Sequence, residues 1–579
     1  MSDTETPRPA APCTSAPRQL IVLNDGTNNN LTGGTQDTHV VKLFELLRQY
    51  PEADRLIYYD AGVGNPGELP GATSVEKLRR KADRISGLAF GRGVFENVAQ
   101  AYRFLMFNYV PGDEVFILGF SRGAFSARSV AGLVNTFGIA QPQFEPMIAT
   151  LLYAYFSDRG DAKWQAIAAQ ARRLFAAQAA QRVELQFVGV WDTVASVGMP
   201  PFGLRITARP DLQHKNFLHV RQALALDELR AQFKPRLYAE NNGPLVTATG
   251  RVGSVKQLWF RGAHGDIGGG YPPEQSALAD LPQAWLLSEA VQSAGLKLGA
   301  LRSEADFLAA AQSLRGAAPV LELYDHGELH DSAWWALTGM AQRTTTQVEL
   351  DEGAPIPVIP EEHPSVQTIS DSGALHCVWH GTRPWRPLIV SALMIPVLMI
   401  WLGLLLNGFA RSDAGWWSDA LQAVLWWPDH LASNARFAWW QLQAIYPLVD
   451  DLAARQFASP RWAAAWDLAL IVSYAYFLAR CASWAFWRRT GLRRAGDKVD
   501  VWLTRLGKAL PLMVIADVAE DVLTVLTITL ARQDLPVLAG ISGFFMALAS
   551  VAKFVGLAGV VALVLCGLLP RTAPAPAPG

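Results

Sequence analysis

Residues 115–128, Val-Phe-Ile-Leu-Gly-Phe-Ser-Arg-Gly-Ala-Phe-Ser-Ala-Arg, read as a buried strand that turns sharply at Gly119-Phe120-Ser121-Arg122-Gly123 and continues at once as a helix. Four apolar residues before Gly119 and helix-compatible residues after Gly123 supply the strand-turn-helix context that a bare G-x-S-x-G match lacks. In so tight a turn, Cβ atoms at 119 and 123 would collide with neighbouring backbone, so glycine is required at both. Ser121 is then held in a strained conformation with its Oγ presented, as in a nucleophile elbow. A chain built this way is expected to be an α/β protein with the chemistry of a serine hydrolase.

The surrounding sequence fits that expectation. From 19 to 375 short apolar runs alternate with helical stretches: strands are predicted at 20–23, 55–59, 115–119, 183–191 and 255–260, with helices such as 91–109 and 124–137 between them. Several of these strands are apolar on both faces, as in a parallel sheet covered by helices on each side. The predicted fold is an α/β-hydrolase-like, doubly wound, mostly parallel sheet.

A serine nucleophile needs a base, and a group that orients the base. His264 follows the apolar run Leu258-Trp259-Phe260 and lies in the Gly-rich stretch Arg261-Gly-Ala-His-Gly-Asp-Ile-Gly-Gly-Gly-Tyr271, read as a loop beyond the carboxyl end of a strand, where α/β enzymes place their ligands. A structural histidine, or a phosphate cradle at 268–270, is the alternative reading of that stretch. Asp192 ends the strand Phe187-Val-Gly-Val-Trp191, and Ser121, Asp192, His264 is the chain order of α/β hydrolases. Asp266, two residues past the histidine, is the alternative acid. An oxyanion would face the backbone N–H of Arg122, at the start of the helix after the nucleophile, and a second donor from the loop Asn24-Asp25-Gly26-Thr27-Asn28, with Gly26 and Thr27 the candidates. That loop reads equally well as an Asx-type turn.

After Arg386 the character changes. Segment 387–409 is an uncharged apolar run of 23 residues, about 34 Å as a helix and enough to cross a hydrocarbon core of roughly 30 Å. Further spans are expected at 463–487, 510–530 and 537–569, giving a helical transmembrane region over 386–570. The connection 410–462 holds Trp416, Trp417, Trp426, Trp427, Trp439 and Trp440, rings suited to headgroup level or else to a small Trp-rich core. Arg488, Arg489, Arg493, Arg494, Lys498, Arg505 and Lys508 put the loop between the second and third spans in the cytoplasm, and with four spans the catalytic half also. The third span carries Asp517, Glu520 and Asp521; these must face the bundle or a wet cavity, pairing with Arg480 or Lys553 or forming a proton or ion path.

Composition narrows the classes further. Charged residues make up 17% of the 579 and Trp is abundant at 20, so part of the surface is expected not to face water. A net charge of -1 argues against a nucleic-acid partner. Cys13, Cys377, Cys481 and Cys566 are isolated, which suggests neither a disulfide framework nor a zinc site; no metal and no cofactor is expected. Residues 1–18 and 571–579 read as low-complexity tails, the first without the apolar core of a signal peptide.

Taken together, Leu23-Asn-Asp-Gly-Thr-Asn-Asn29, Tyr59-Asp-Ala-Gly-Val-Gly64, the stretches 93–105 and 111–128, Gly189-Val-Trp-Asp-Thr-Val194, Ala225-Leu-Asp-Glu-Leu-Arg230 with Phe233 and Pro235, and 259–271 resemble a bacterial α/β-hydrolase family that includes the type VI secretion phospholipase effectors. The resemblance covers roughly 19–300 and implies a Ser-Asp-His lipase or esterase acting on phospholipid or another acyl ester, with Ser121, Asp192 and His264 at the family's positions. The expected partners are a membrane lipid substrate and the bilayer itself, in a multi-pass protein of the bacterial inner membrane. Two other readings stay open: a secreted antibacterial effector with its own secretion or immunity partner, and a membrane scaffold or transporter with a catalytically silent hydrolase domain.

Overall fold

The computed structural model describes residues 17–26, 37–62, 88–156, 162–176, 183–194, 215–230, 233–272, 275–315, 361–372, 389–398, 460–490, 501–533 and 535–568, with a few short pieces between them. The chain divides into two compact units, one within 1–226, 235–328 and 345–375, the other within 227–234, 329–344 and 376–579.

The first unit is built on an eight-stranded sheet. Its strands are β1 (Gln19–Asn24), β2 (Arg55–Asp60), β3 (Glu114–Phe120), β4 (Leu185–Trp191), β5 (Phe217–Ala225), β6 (Gly243–Val246), β7 (Val252–Phe260) and β8 (Glu361–Glu362). The order is β8-β7-β5-β4-β3-β1-β2, with β6 paired to β7. Every pairing is parallel except β6 with β7. The mostly parallel α/β sheet expected from two-sided apolar strands is therefore present. Strands such as Leu-Ile-Val-Leu at 20–23 and Val-Phe-Ile-Leu at 115–118 are fully buried along their length, because helices cover both faces. Burying each such side chain contributes about 1.5–3 kcal/mol.

Helices α1 (His39–Gln49), α2 (Leu88–Asn108) and α3 (Ser121–Phe137) follow β1, β2 and β3 in turn, and α4 (His264–Gly268) and α5 (Ala277–Ala294) both come after β7. Leu20, Val22, Val115 and Ile117 share one core with Val94, Val98 and Leu105 of α2 and Val130, Leu133 and Val134 of α3. On the alternate face, a Cβ added to Gly189 of β4 would lie 3.0 Å from Leu286 of α5, so the glycine admits that helix. The order of strand addition reverses at β1: β2 lies beyond β1 on one side, and β3, β4, β5 and β7 run off on the other. Ligands of open parallel sheets bind at the carboxyl ends of strands beside such a reversal.

Two features depart from expectation. β5 was not among the predicted strands, since Phe-Leu-His-Val-Arg-Gln-Ala-Leu-Ala interrupts its apolar pattern with three polar residues; Arg221 is buried there against Glu289 at 2.7 Å, and Gln222 donates to the Arg236 carbonyl at 3.0 Å. The Gly-rich stretch read as a loop contains the short helix α4, which begins at His264 itself.

In the second unit α6 (Pro460–Thr490), α7 (Ala509–Arg532) and α8 (Pro536–Leu568) pack against one another. Lys553 of α8 lies 2.7 Å from both Asp517 and Glu520 of α7, and the Tyr474 hydroxyl of α6 donates to Asp517. Of the two cations considered from sequence, Lys553 meets these carboxylates, and the Arg480 guanidinium lies over the Tyr476 ring of its own helix. Among the described residues, two segments are long and apolar enough to cross a membrane, Asp467–Phe486 and Val537–Leu568. α7 matches the third expected span in position, but its three carboxylates set it apart. Of the first expected span, 387–409, an apolar helix over Ile389–Leu398 is described. The rest of that span lies outside the described residues, as do the six tryptophans at 416–440, residues 1–16 and 571–579 of the tails, and Arg493, Arg494 and Lys498 of the basic loop; Arg18, at the end of the first tail, pairs with Asp113 at 2.6 Å.

Candidate active site

The site begins where β3 ends. Ser121 is the first residue of α3 and has φ +58°, in the left-handed region that side chains with a Cβ rarely adopt. Two glycines make the turn sterically possible: a Cβ on Gly119 would lie 2.5 Å from the Gly123 carbonyl oxygen, and one on Gly123 would lie 2.2 Å from the Asn24 oxygen. The elbow is thus pressed directly against the end of β1, and only hydrogen at position 123 leaves room for that contact.

Asp192 follows β4, the neighbour of β3, and is fully buried. Its φ is +40°; with Ser121 it makes up the non-glycine residues of positive φ among those described. Its N–H donates to the Ala223 carbonyl at 2.8 Å, and its Oδ1 accepts from the Ala225 N–H at 3.1 Å, so β5 holds both its backbone and its side chain. The other oxygen, Oδ2, lies 2.6 Å from His264 Nδ1.

His264, at the start of α4 beyond β7, reaches back so that Nε2 stands 2.7 Å from Ser121 Oγ. Its ring lies against Phe120 with centroids 4.8 Å apart, and Gly268 is needed one turn later because a Cβ there would be 1.9 Å from the same phenylalanine. Ser121 is 7% and His264 6% exposed, so the three side chains meet in a largely dry setting where their hydrogen bonds are strengthened. The carboxylate beside Nδ1 fixes the tautomer: Nδ1–H donates to Asp192, and the Nε2 lone pair faces the hydroxyl.

The remaining sequence candidates divide. Asp266 is buried, but its Oδ2 accepts from the Ala263 N–H at 2.9 Å, which ties it to the start of its own helix; the carboxylate that meets the imidazole is Asp192. Arg122 has its N–H in the first turn of α3, and burial pushes its guanidinium down to about 10. Gly26 is buried after β1 and its N–H donates to Asp25 Oδ1 at 2.6 Å, while Thr27 lies outside the described residues. Sequence reasoning missed Asp25 itself, whose carboxylate also accepts from Thr38 and Tyr59; the signal was present in Asn24-Asp25-Gly26, a turn-forming triplet directly after a buried strand. Among the described residues no group of three or more His, Cys, Asp or Glu side chains is gathered to hold a metal ion, and Cys481 and Cys566 are free thiols.

Residues 18–289, just under half of the chain, match the family model of the type VI secretion system phospholipase effector Tle1-like catalytic domain. An uncharacterized protein of Saccharomyces cerevisiae is 30% identical over 232 residues, which make up 38% of this chain and 32% of that protein. The chain therefore spans about a third of the length of this curated relative. A solved structure of an uncharacterized protein from Pseudomonas aeruginosa aligns over 87% of this chain and 67% of its own, at 14% identity and a TM-score of 0.26.

Proposed function

We propose that this protein is a serine hydrolase of the α/β-hydrolase type that cleaves acyl esters of membrane lipids, a phospholipase or lipase held at the bilayer by its C-terminal helices. The observation that carries this reading is the continuous contact from Ser121 Oγ through His264 to Asp192, at 2.7 and 2.6 Å, on a serine strained at φ +58°. The match of 18–289 to a phospholipase effector catalytic domain supports lipid as the substrate.

His264 Nε2 takes the Ser121 proton as Oγ attacks the acyl carbonyl carbon, and Asp192 stabilises the imidazolium that forms. The oxyanion is met by the Arg122 N–H at the positive end of α3. His264 then protonates the leaving alcohol, and water hydrolyses the acyl-enzyme by the same route in reverse. On this reading the apolar helices anchor the protein in the bacterial inner membrane, and the Arg and Lys residues of 488–508 favour the cytoplasmic side for the catalytic unit. The family match also favours a second reading, a type VI effector delivered into rival cells; selective toxicity on periplasmic expression would support delivery, and its absence would favour a resident enzyme.

The decisive experiment is a fluorophosphonate probe together with lipid analysis. The wild type is expected to label at Ser121 and to release fatty acid or lysolipid, and Ser121→Ala to lose both by at least about 10³-fold without change in expression or membrane association. An alanine variant that hydrolyses as well as the wild type would overturn the proposal. Absence of labelling, alongside loss of function on neutralising Asp517, Glu520 and Asp521, would favour a scaffold or transporter instead.

A further inference from the structure

The mechanism above makes no use of Asp25, yet this side chain is among the most completely enclosed in the protein, at 1% exposure. A carboxylate is kept in such a place only if donors replace the water it has lost. Three described donors do so: the Gly26 N–H to Oδ1 at 2.6 Å, and the Thr38 hydroxyl and Tyr59 phenol to Oδ2 at 2.8 and 3.0 Å. Burial and the neighbouring carboxylate push the Tyr59 phenol well up, so it stays protonated and donates at any working pH.

Each donor belongs to a different part of the site's surroundings. Gly26 opens the turn after β1, and Tyr59 lies near the end of β2. Thr38 caps α1, accepting from the Val41 N–H at 3.3 Å, and its backbone bridges to Gly269, the residue that ends the helix presenting His264. The Asp25 backbone is held as well, its N–H donating to the Asp60 carbonyl at 2.9 Å. Its carbonyl oxygen lies where a Cβ on Gly123 would come within 2.3 Å, so it touches the backbone of the nucleophile turn. One carboxylate therefore joins the turn after β1, the end of β2 and the start of α1, which bridges to the residue that ends the helix of His264, while its own backbone abuts the elbow.

We propose that Asp25 is a positioning residue of the active site: its carboxylate holds the turn after β1 against the Ser121 elbow and, through Thr38, steadies the helix that carries His264. This rests on Ser121 being the nucleophile. Asp25 touches neither substrate nor the reacting atoms, and acts through the geometry of those that do.

The test uses the full-length protein in membranes or detergent, with Asp25→Asn, Tyr59→Phe and Thr38→Val. An amide at 25 keeps the size but weakens the acceptor, and a displacement of the elbow wall by a fraction of an ångström lowers turnover steeply. For Asp25→Asn, kcat per folded molecule is expected to fall about 10- to 100-fold with KM within about twofold, and fluorophosphonate labelling of Ser121 to slow in parallel. Tyr59→Phe, which leaves the carboxylate and two of its donors in place, is expected to fold normally and lose less; combined with Asp25→Asn it should lose little more than Asp25→Asn alone. Unchanged kcat in all three variants, or losses accounted for by the unfolded fraction, overturn the proposal. Hydrogen exchange at 24–26 and 264–269 separates this claim from the hydrolase reading. If the wild type hydrolyses no ester and does not label, the hydrolase reading fails, while faster exchange at both segments in Asp25→Asn still supports the anchor and unchanged exchange overturns it.

Discussion

Backbone strain in this protein is placed at the residues that face one imidazole. Ser121 and Asp192, at φ +58° and +40°, each hold a conformation that costs on the order of 1–3 kcal/mol for a residue with a Cβ. Both are over-determined by their neighbours: Ser121 by glycines on either side that let the turn pack on β1, Asp192 by the bonds from Asp192 N to Ala223 O and from Ala225 N to Oδ1. An Asn at 192 would retain the shape but present an amide to Nδ1, destabilising the tautomer that leaves Nε2 free to accept. Asp192→Asn is therefore expected to lower kcat about 10³- to 10⁴-fold with thermal stability little changed, whereas Asp266→Asn, whose carboxylate accepts from its own helix start, should retain turnover per folded molecule. Steady-state kinetics beside thermal melts checks this; an Asp192→Asn enzyme with more than a tenth of wild-type kcat would remove Asp192 from the role of orienting acid.

At the scale of elements, β5 shows why polar residues in a strand are not always a sign of an edge. His219, Arg221 and Gln222 lie between β4 and β7, and each finds a partner supplied by another element: Ser254 on β7, Glu289 on α5 and the Arg236 carbonyl. His219 and Ser254 are register partners, with Nδ1 and Oγ 3.2 Å apart. Burial, and then the Arg221 charge, push this imidazole down to about 4 from its ordinary 6.5. The unfolded chain thus binds the proton first as pH falls. The stability linked to His219 is complete above about pH 6.5 and is lost progressively toward pH 4. Denaturant unfolding of the catalytic unit between pH 4 and 7 should show this decline, and His219→Gln should flatten part of it; an identical slope in the variant would show that His219 does not set it. The same strand was invisible to periodicity because its polar side chains are satisfied by residues such as Arg236, Ser254 and Ser293, 14 to 72 positions away. The strands that were legible, such as 20–23 and 115–119, bury apolar residues on both faces and need no such partners.

For the whole molecule, the second unit presents a surface that water does not cover well. α6 and α8 extend over 31 and 33 residues, about 46 and 50 Å, well beyond the roughly 30 Å of a hydrocarbon core. Large apolar side chains such as Ile515 at 66% and Val555 at 60% are exposed along α7 and α8, while Asp517, Glu520 and Lys553 are gathered between the helices. Polar groups inward and apolar groups outward is the arrangement a lipid solvent selects. The protein is accordingly expected to sediment with membranes, to resist extraction by high salt and alkaline carbonate, and to be released by detergent. Release by carbonate alone would sink membrane anchoring while leaving the ester chemistry untouched.

Sequence alone determined what is local in physical origin. Alternation, two-sided apolar runs and a glycine-flanked serine specify strands, a parallel α/β sheet and the turn at Ser121, because each depends on sterics and solvent within a few residues. Run length likewise marked the apolar C-terminal helices. Tertiary structure decided which groups meet: Asp192 rather than Asp266 on His264, across 72 residues; His264 on Ser121, across 143; Lys553 on Asp517, across 36. It also turned the Gly-rich stretch after β7 into a helix and set Asp25 among Gly26, Thr38 and Tyr59. Such pairings follow from strand order and helix docking, where the free energy of many distant contacts is shared, and no window along the chain contains that sum.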